Sequence, residues 1–162
     1  MFEYFIGIDP GVNGAVTVMR PNGDVVHCED VPTIKNKNRK TIDTRALAAK
    51  LNLVVGDADA FACIEKVHAM PQQGVSSTFA FGRAFGQLEG LVSAFGWALI
   101  HVRPKEWQKK YLSGAKDTKE KSREVASNLF PSVDLSLKKH HNKADSLLVA
   151  DYGRRFQNLE GS

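Results

Sequence analysis

Apolar positions change their spacing part-way along this chain. Residues 2–9 are apolar on both faces up to Asp9, which predicts a buried strand ending in a carboxylate. Residues 14–20 alternate and predict a second strand. Pro21-Asn22-Gly23-Asp24 is a turn signal, and Val25 to Val31 then predicts a third strand. The chain thus opens as an antiparallel meander. Pro32 to Thr41 is polar and basic without periodicity and reads as a loop. Beyond it the spacing becomes helical. Leu47, Leu51 and Val54 share one face of a helix over 44–55 that Asp43 can cap.

A fourth strand over 61–65 again ends in a carboxylate, Glu65. His68 to Ser77 is rich in Gly, Pro, Gln and Ser and reads as a loop. A long helix over 77–95 follows. Its small residues Ala80, Gly82, Ala84, Gly86 and Gly90 permit close packing against a sheet or a second copy. Residues 97–102 predict a fifth strand. Pro104 starts a short helix to Leu112, Thr118 caps another to Phe130, and a last helix runs over 142–157. Three antiparallel strands followed by alternating strands and helices predict an α/β fold with one five-stranded mixed sheet flanked by helices. Neither a repeat nor a linker divides residues 1–162, so a single domain is expected.

Composition narrows the function only slightly. The 162 residues carry 43% hydrophobic side chains, and no apolar run approaches the length of a membrane span. The first residues lack the basic and apolar regions of a secretory signal. Cys28 and Cys63 lie far apart and belong to no paired metal motif, which suits a reducing, cytoplasmic setting. The net charge of +4 is unevenly spread. Lysines and arginines outnumber acids between Arg103 and Lys143, and Lys35, Lys37, Arg39 and Lys40 form a second basic stretch. Such runs are commonly solvated faces; beside a carboxylate site they suit a polyanionic substrate.

Asp9, Glu65 and Asp145 recur in similar settings. If the first and fourth strands are neighbours, Asp9 and Glu65 meet at one end of the sheet and the last helix can close the group with Asp145. His141 lies four residues before Asp145 and Asn142 three before, both on the same helical side. Carboxylates around one point repel unless a cation neutralises them. Mg²⁺ or Mn²⁺ prefers such oxygen ligands, and Mn²⁺ better tolerates a histidine nitrogen. Plainer readings stand beside this one. Asp9 can cap a turn, Asp145 can be an acid favoured by a helix dipole, and His141 can be a solvent-exposed histidine. Trp97 and Trp107 read as packing residues.

Gly7-Ile8-Asp9-Pro10-Gly11 with Gly14 resembles the opening of the Holliday junction resolvases of the RuvC type, in the RNase H-like superfamily. The resemblance continues in order through Ile64-Glu65, a small-residue helix with Gly82, Arg83, Gly86 and Gly90, then Val102-Arg103-Pro104, Lys121-Ser122 and Ala144-Asp145-Ser146-Leu147-Leu148-Val149-Ala150. The ending Ala150 to Arg155 looks closer to bacteriophage versions, which would place the protein in a bacterial host's cytoplasm.

The resemblance implies an RNase H-like fold, a homodimer, and crossover junction endodeoxyribonuclease activity dependent on Mg²⁺ or Mn²⁺, with two ions per site. Asp9 would bridge the ions, and Glu65 and Asp145 would hold one each. Where the cellular pattern usually has its fourth carboxylate, this chain has Asn142, so His141 is the expected substitute as ligand or proton-transfer group, with Asn142 a further possible ligand. Lys109, Lys110, Lys116, Lys119 and Lys121 would meet phosphates, Lys121 being the strongest match and a candidate for stabilising developing charge. His68, Met70 and Arg83 would also meet DNA. The loop after Glu65 has no aromatic other than His68, where cellular relatives use one to probe the junction. Recognition of branched shape, including forks and flaps, is therefore expected over strict sequence choice.

Two rivals remain. A sugar-kinase or Hsp70-type ATPase also opens with Gly-Ile-Asp-x-Gly but needs a second, duplicated half. A junction-binding module without catalysis is motivated by Asn142.

Overall fold

A computed structural model describes residues 1–156. Strands β1 (Tyr4–Asp9), β2 (Ala15–Met19) and β3 (Val25–Asp30) form the expected meander. Helix α1 (Thr44–Val55) follows, capped by the Asp43 carboxylate, which accepts from the Ala46 N–H. Strand β6 (Ala60–Glu65), helix α2 (Val75–Ala94) and strand β7 (Ala98–Val102) come next. Helices α3 (Pro104–Tyr111) and α4 (Thr118–Leu129), a 3₁₀ turn (Lys138–His140) and helix α5 (His141–Phe156) complete the described chain. The intervening β4 (Thr33–Asn36) and β5 (Arg39–Ile42) pair only with each other.

The five-stranded sheet has the order β3-β2-β1-β6-β7. β1 is antiparallel to β2 and parallel to β6, with Ile8 paired to Val16 and Ile64. Side chains alternate across each strand and so sort into two layers. Ile6, Ile8, Ala62 and Ile64 face one core with Leu47 and Leu51 of α1 and Leu88 and Val92 of α2. Phe5, Phe61 and Cys63 face the other with Trp107 of α3, Ala126 of α4 and Leu147, Leu148 and Ala150 of α5. Each fully buried aliphatic side chain of this size contributes roughly 1.5–3 kcal/mol.

Helix α5 lies unusually close to the sheet because two glycines admit it. A Cβ on Gly7 would stand 2.0 Å from the Ser146 carbonyl oxygen and 2.4 Å from the Ala150 nitrogen. A Cβ on Gly153 would stand 2.4 Å from Cys63 Sγ. Side chains larger than hydrogen have no room at either seat. Thr17 Oγ1 and Ser146 Oγ, 2.7 Å apart, add a buried hydrogen bond from β2 to the same helix.

The stretch Pro32 to Thr41, expected as a loop, is instead the β4–β5 hairpin. It hides from a periodicity reading because nearly all its side chains are polar and exposed, so neither face is marked. Other differences are small. Asp117, not Thr118, caps α4, its carboxylate accepting from the Glu120 N–H. α2 begins at Val75 rather than Ser77. α5 begins at His141, and its expected end at 157 lies outside the described residues. No helix among the described residues is long and apolar enough to cross a membrane.

Candidate active site

Strand parity places the first two acids together. Odd residues of β1 and of β6 face α5: Phe5, Gly7 and Asp9 on one strand, Phe61, Cys63 and Glu65 on the other. The Ile8–Ile64 pairing puts Asp9 and Glu65 one step further along, at the carboxyl end of adjacent parallel strands. Helix α5 starts at this same end and carries Asp145 over them. All three residues are half-buried.

The acids sense one another. Burial raises Asp9 well above the ordinary carboxylate range, and the charges of Asp145 and Glu65 raise it further. Burial likewise pushes Glu65 up to about 7, with Asp145 adding to the shift. Asp145 rises to about 6, chiefly through burial. Three groups oppose these rises. Trp107 Nε1 donates to Glu65 Oε2 at 2.6 Å and favours the ionised form. Lys119 lowers both Asp9 and Asp145. The Ser122 hydroxyl stands near enough to Asp145 to favour its charge. Its geometry falls short of a hydrogen bond, because Ser122 Oγ and Asp145 Oδ1 are both buried without a partner.

An orphaned, buried carboxylate oxygen beside two further acids is the donor set a hard divalent cation completes. Asp9, Glu65 and Asp145 offer hard oxygen donors of the chemical kind that Mg²⁺ or Mn²⁺ takes. Among the described residues no three His, Cys, Asp or Glu side chains stand close enough together to hold a metal ion as they are placed.

The remaining expected residues divide. Asn142 donates through Nδ2 to the Asn13 carbonyl and ties α5 to the turn after β1. A carboxylate here could not make that bond, which explains why an amide suits this position. His141 places Nδ1 3.2 Å from the Lys138 carbonyl oxygen. With Lys119, Arg123, Lys138 and Lys139, and the acids Asp117 and Glu120, it lines a hollow of net basic character and about 340 Å³. Lys121 is ion-paired with Glu124 at 3.0 Å, so Lys119 is the α4 lysine whose charge reaches the acids. Lys110 is exposed on α3. Its ammonium lies 4.6 Å from the Phe156 ring centroid, near the last described turn of α5 and away from the sheet end holding the acids. Lys109, Lys116, His68, Met70 and Arg83 are exposed.

Trp107 is the functional neighbour that a packing reading misses. Its body is 1% exposed, as packing predicts. A buried indole N–H nevertheless needs an acceptor, and that requirement was the available signal.

Comparison with solved structures decides the architecture. RuvC from Thermus thermophilus in complex with a Holliday junction substrate matches with a TM-score of 0.70, covering 98% of this chain and 96% of that one at 14% identity. A second Thermus thermophilus RuvC structure matches at 0.64, covering 96% and 95% at 15% identity. The fold is that of RuvC. No protein-family description matches the chain, and no curated protein matches it. The RuvC likeness is thus one of strand order and helix placement, with the acids at the sheet end supplied by this sequence itself. The expected RNase H-like architecture holds, including the five-stranded mixed sheet.

Proposed function

We propose that this chain is a divalent-metal-dependent endonuclease that resolves four-way DNA junctions. It would act as a homodimer that nicks paired strands of like polarity. The observation that carries the reading is the gathering of Asp9, Glu65 and Asp145 at one sheet end, each raised by burial, with Asp145 raising the other two and its own Oδ1 unpartnered. The RuvC fold, seen elsewhere with a Holliday junction substrate, supports the substrate class.

Asp9, Glu65 and Asp145 would hold the ions. When bound, Mg²⁺ or Mn²⁺ supplies charge stabilisation to the attacking and leaving oxygens of an in-line phosphodiester displacement. Trp107 fixes the orientation of Glu65 and keeps it ionisable. Lys119 presents a positive charge beside the acids, placed to meet the scissile phosphate. His141, bordering the same basic hollow, can pass a proton to bulk water. Lys109, Lys110, Lys116, Lys121, Arg83, His68 and Met70 would contact DNA. The outward face of α2, with Phe79, Gly82, Gly86 and Gly90 exposed, suits helix packing against a second copy. Two copies bring two sites to one junction.

Asn142 favours a second reading, a junction-binding module, because it supplies an amide that is already engaged with Asn13. One experiment separates the two. An end-labelled four-way junction is incubated with the protein and Mg²⁺ or Mn²⁺, beside fork and flap substrates. Paired, symmetric nicks that vanish in Asp9→Asn support the nuclease. Tight binding without nicks in either metal supports the module.

A further inference from the structure

The β4–β5 hairpin is a charged projection anchored at its base, where Ile42 joins the core. Its backbone springs from the end of the sheet that carries the acids: Asp9 pairs with Ala15, and Ala15 pairs with Asp30, the last residue of β3. Its base is fixed there. The Val31 N–H donates to the Gly14 carbonyl at 2.9 Å, and the Asp43 N–H to the Pro32 carbonyl at 2.8 Å. From this base extend Lys35, Lys37, Arg39 and Lys40, all exposed, with no acid between Pro32 and Ile42.

Their arrangement works against the isolated protein. Lys35 and Lys40 are directly opposite in the strand register, where like charges repel. Among the described residues no salt bridge relieves any of the four. Lys37 occupies the tip at φ 52°, a conformation that favours glycine. Arg39 reaches across to Ser76 Oγ at 3.3 Å, so the hairpin leans toward the start of α2. Between them lies an open hollow of about 530 Å³ with Arg39 and Lys40 on one wall, Arg83 on the other, and Val12 and Phe79 alongside.

The geometry points to the β4–β5 hairpin as a clamp on the sugar-phosphate backbone of one arm of a branched DNA, running through the hollow between hairpin and α2. Facing lysines with no acid between them are relieved by a row of phosphates, and a narrow two-stranded ribbon can follow a groove edge. This arm contact is distinct from the lysines of α3 and α4 and lies on the β3 side of the acids. Edge lysines can instead serve only to keep strands from pairing between molecules. That role needs scattered charge and does not call for cations gathered on both walls of one hollow.

The inference rests on the junction-nuclease reading, and its test separates the two. The full chain is compared with a variant carrying Lys35→Gln, Lys37→Gln, Arg39→Gln and Lys40→Gln. Binding to a labelled long-armed four-way junction is followed by anisotropy over a KCl series without divalent metal. Nicking by the parent chain is followed separately in Mg²⁺. The variant is expected to bind about tenfold or more weakly at physiological salt, with the slope of log K against log salt reduced by about two to four. Circular dichroism checks the fold. The smaller Lys35→Gln/Lys40→Gln variant, which relieves the facing pair, is expected to melt no lower than the parent and to lose about one to two from the slope. That pair carries the test if the fourfold variant unfolds. An unchanged slope while the parent nicks junctions overturns the clamp and leaves the nuclease standing; new self-association in that case assigns the lysines to edge protection. A parent chain that neither binds nor nicks the junction overturns both.

Discussion

Asp145 and Asp151 lie on one helix, six residues apart, in opposite surroundings. Asp151 is fully buried and fully answered. Arg154 and Arg155 reach it at 2.6 and 2.7 Å, and the Tyr111 hydroxyl donates to it at 2.8 Å. Asp145 shares its end of the helix with two more acids and has one oxygen without any partner. The first carboxylate is part of the scaffold, stitching α5 to α3. The second is answered only in part, by the charge of Lys119 and the nearby Ser122 hydroxyl. Burial alone therefore does not set an acid apart; burial with incomplete compensation does.

The contrast yields predictions of decreasing size. Asp9→Asn should cut metal-dependent nicking by about a thousandfold or more while leaving the metal-free protein at least as stable, since it removes an uncompensated charge. Single-turnover junction assays and thermal melts read the two effects. Asp151→Asn should do the reverse. It should cost about 3 kcal/mol of stability and lower the melting temperature by roughly 10 °C, with nicking per folded molecule intact. If Asp151→Asn instead abolished nicking without loss of stability, the contrast would fail.

A pH series on metal-free protein sharpens it further. Raised carboxylate pKa values mean that the folded state binds protons more tightly than the unfolded chain. The stability these two acids contribute should be fully present below about pH 4. It should be lost as pH rises toward about 7, as Asp145 and then Glu65 ionise against their surroundings, by on the order of several kcal/mol. Saturating Mg²⁺ should flatten that decline, because it binds the ionised acids of the folded state. Denaturant midpoints with and without Mg²⁺ measure it. The smallest effect belongs to Trp107→Phe. Loss of its N–H raises Glu65 further, so the acid limb of the rate–pH profile should move upward by about half a unit to one unit, with a rate loss of about threefold to tenfold at neutral pH.

Much of this was legible in the order of residues. Apolar spacing together with Pro104 and the cap signals marked the five main strands and five helices of the described residues, and two strands ending in acids marked Asp9 and Glu65. Parity then placed both on the α5 face, a consequence that follows once β1 and β6 are neighbours. The β4–β5 hairpin escaped because Thr33, Lys35, Lys40 and Arg39 label neither side as inward. Trp107 escaped because its apolar bulk outweighs one N–H in any hydropathy pattern. The sequence resemblance favoured Lys121 over Lys119, yet the turn of α4 sends the charge of Lys119 toward the acids and pairs Lys121 with Glu124.

Gly7 sets the height at which α5 rides over β1, two residues before Asp9 on one side and one residue past Asp145 on the other, where the Ser146 carbonyl meets it. The gap between those two acids is thus machined into main chain rather than adjusted by side-chain rotamers. A methyl group at this glycine should act as a shim, lifting the helix and opening the site, so its damage should register in chemistry as well as in stability. Anyone rebuilding this centre on another sheet would have to copy the missing side chain before copying the acids.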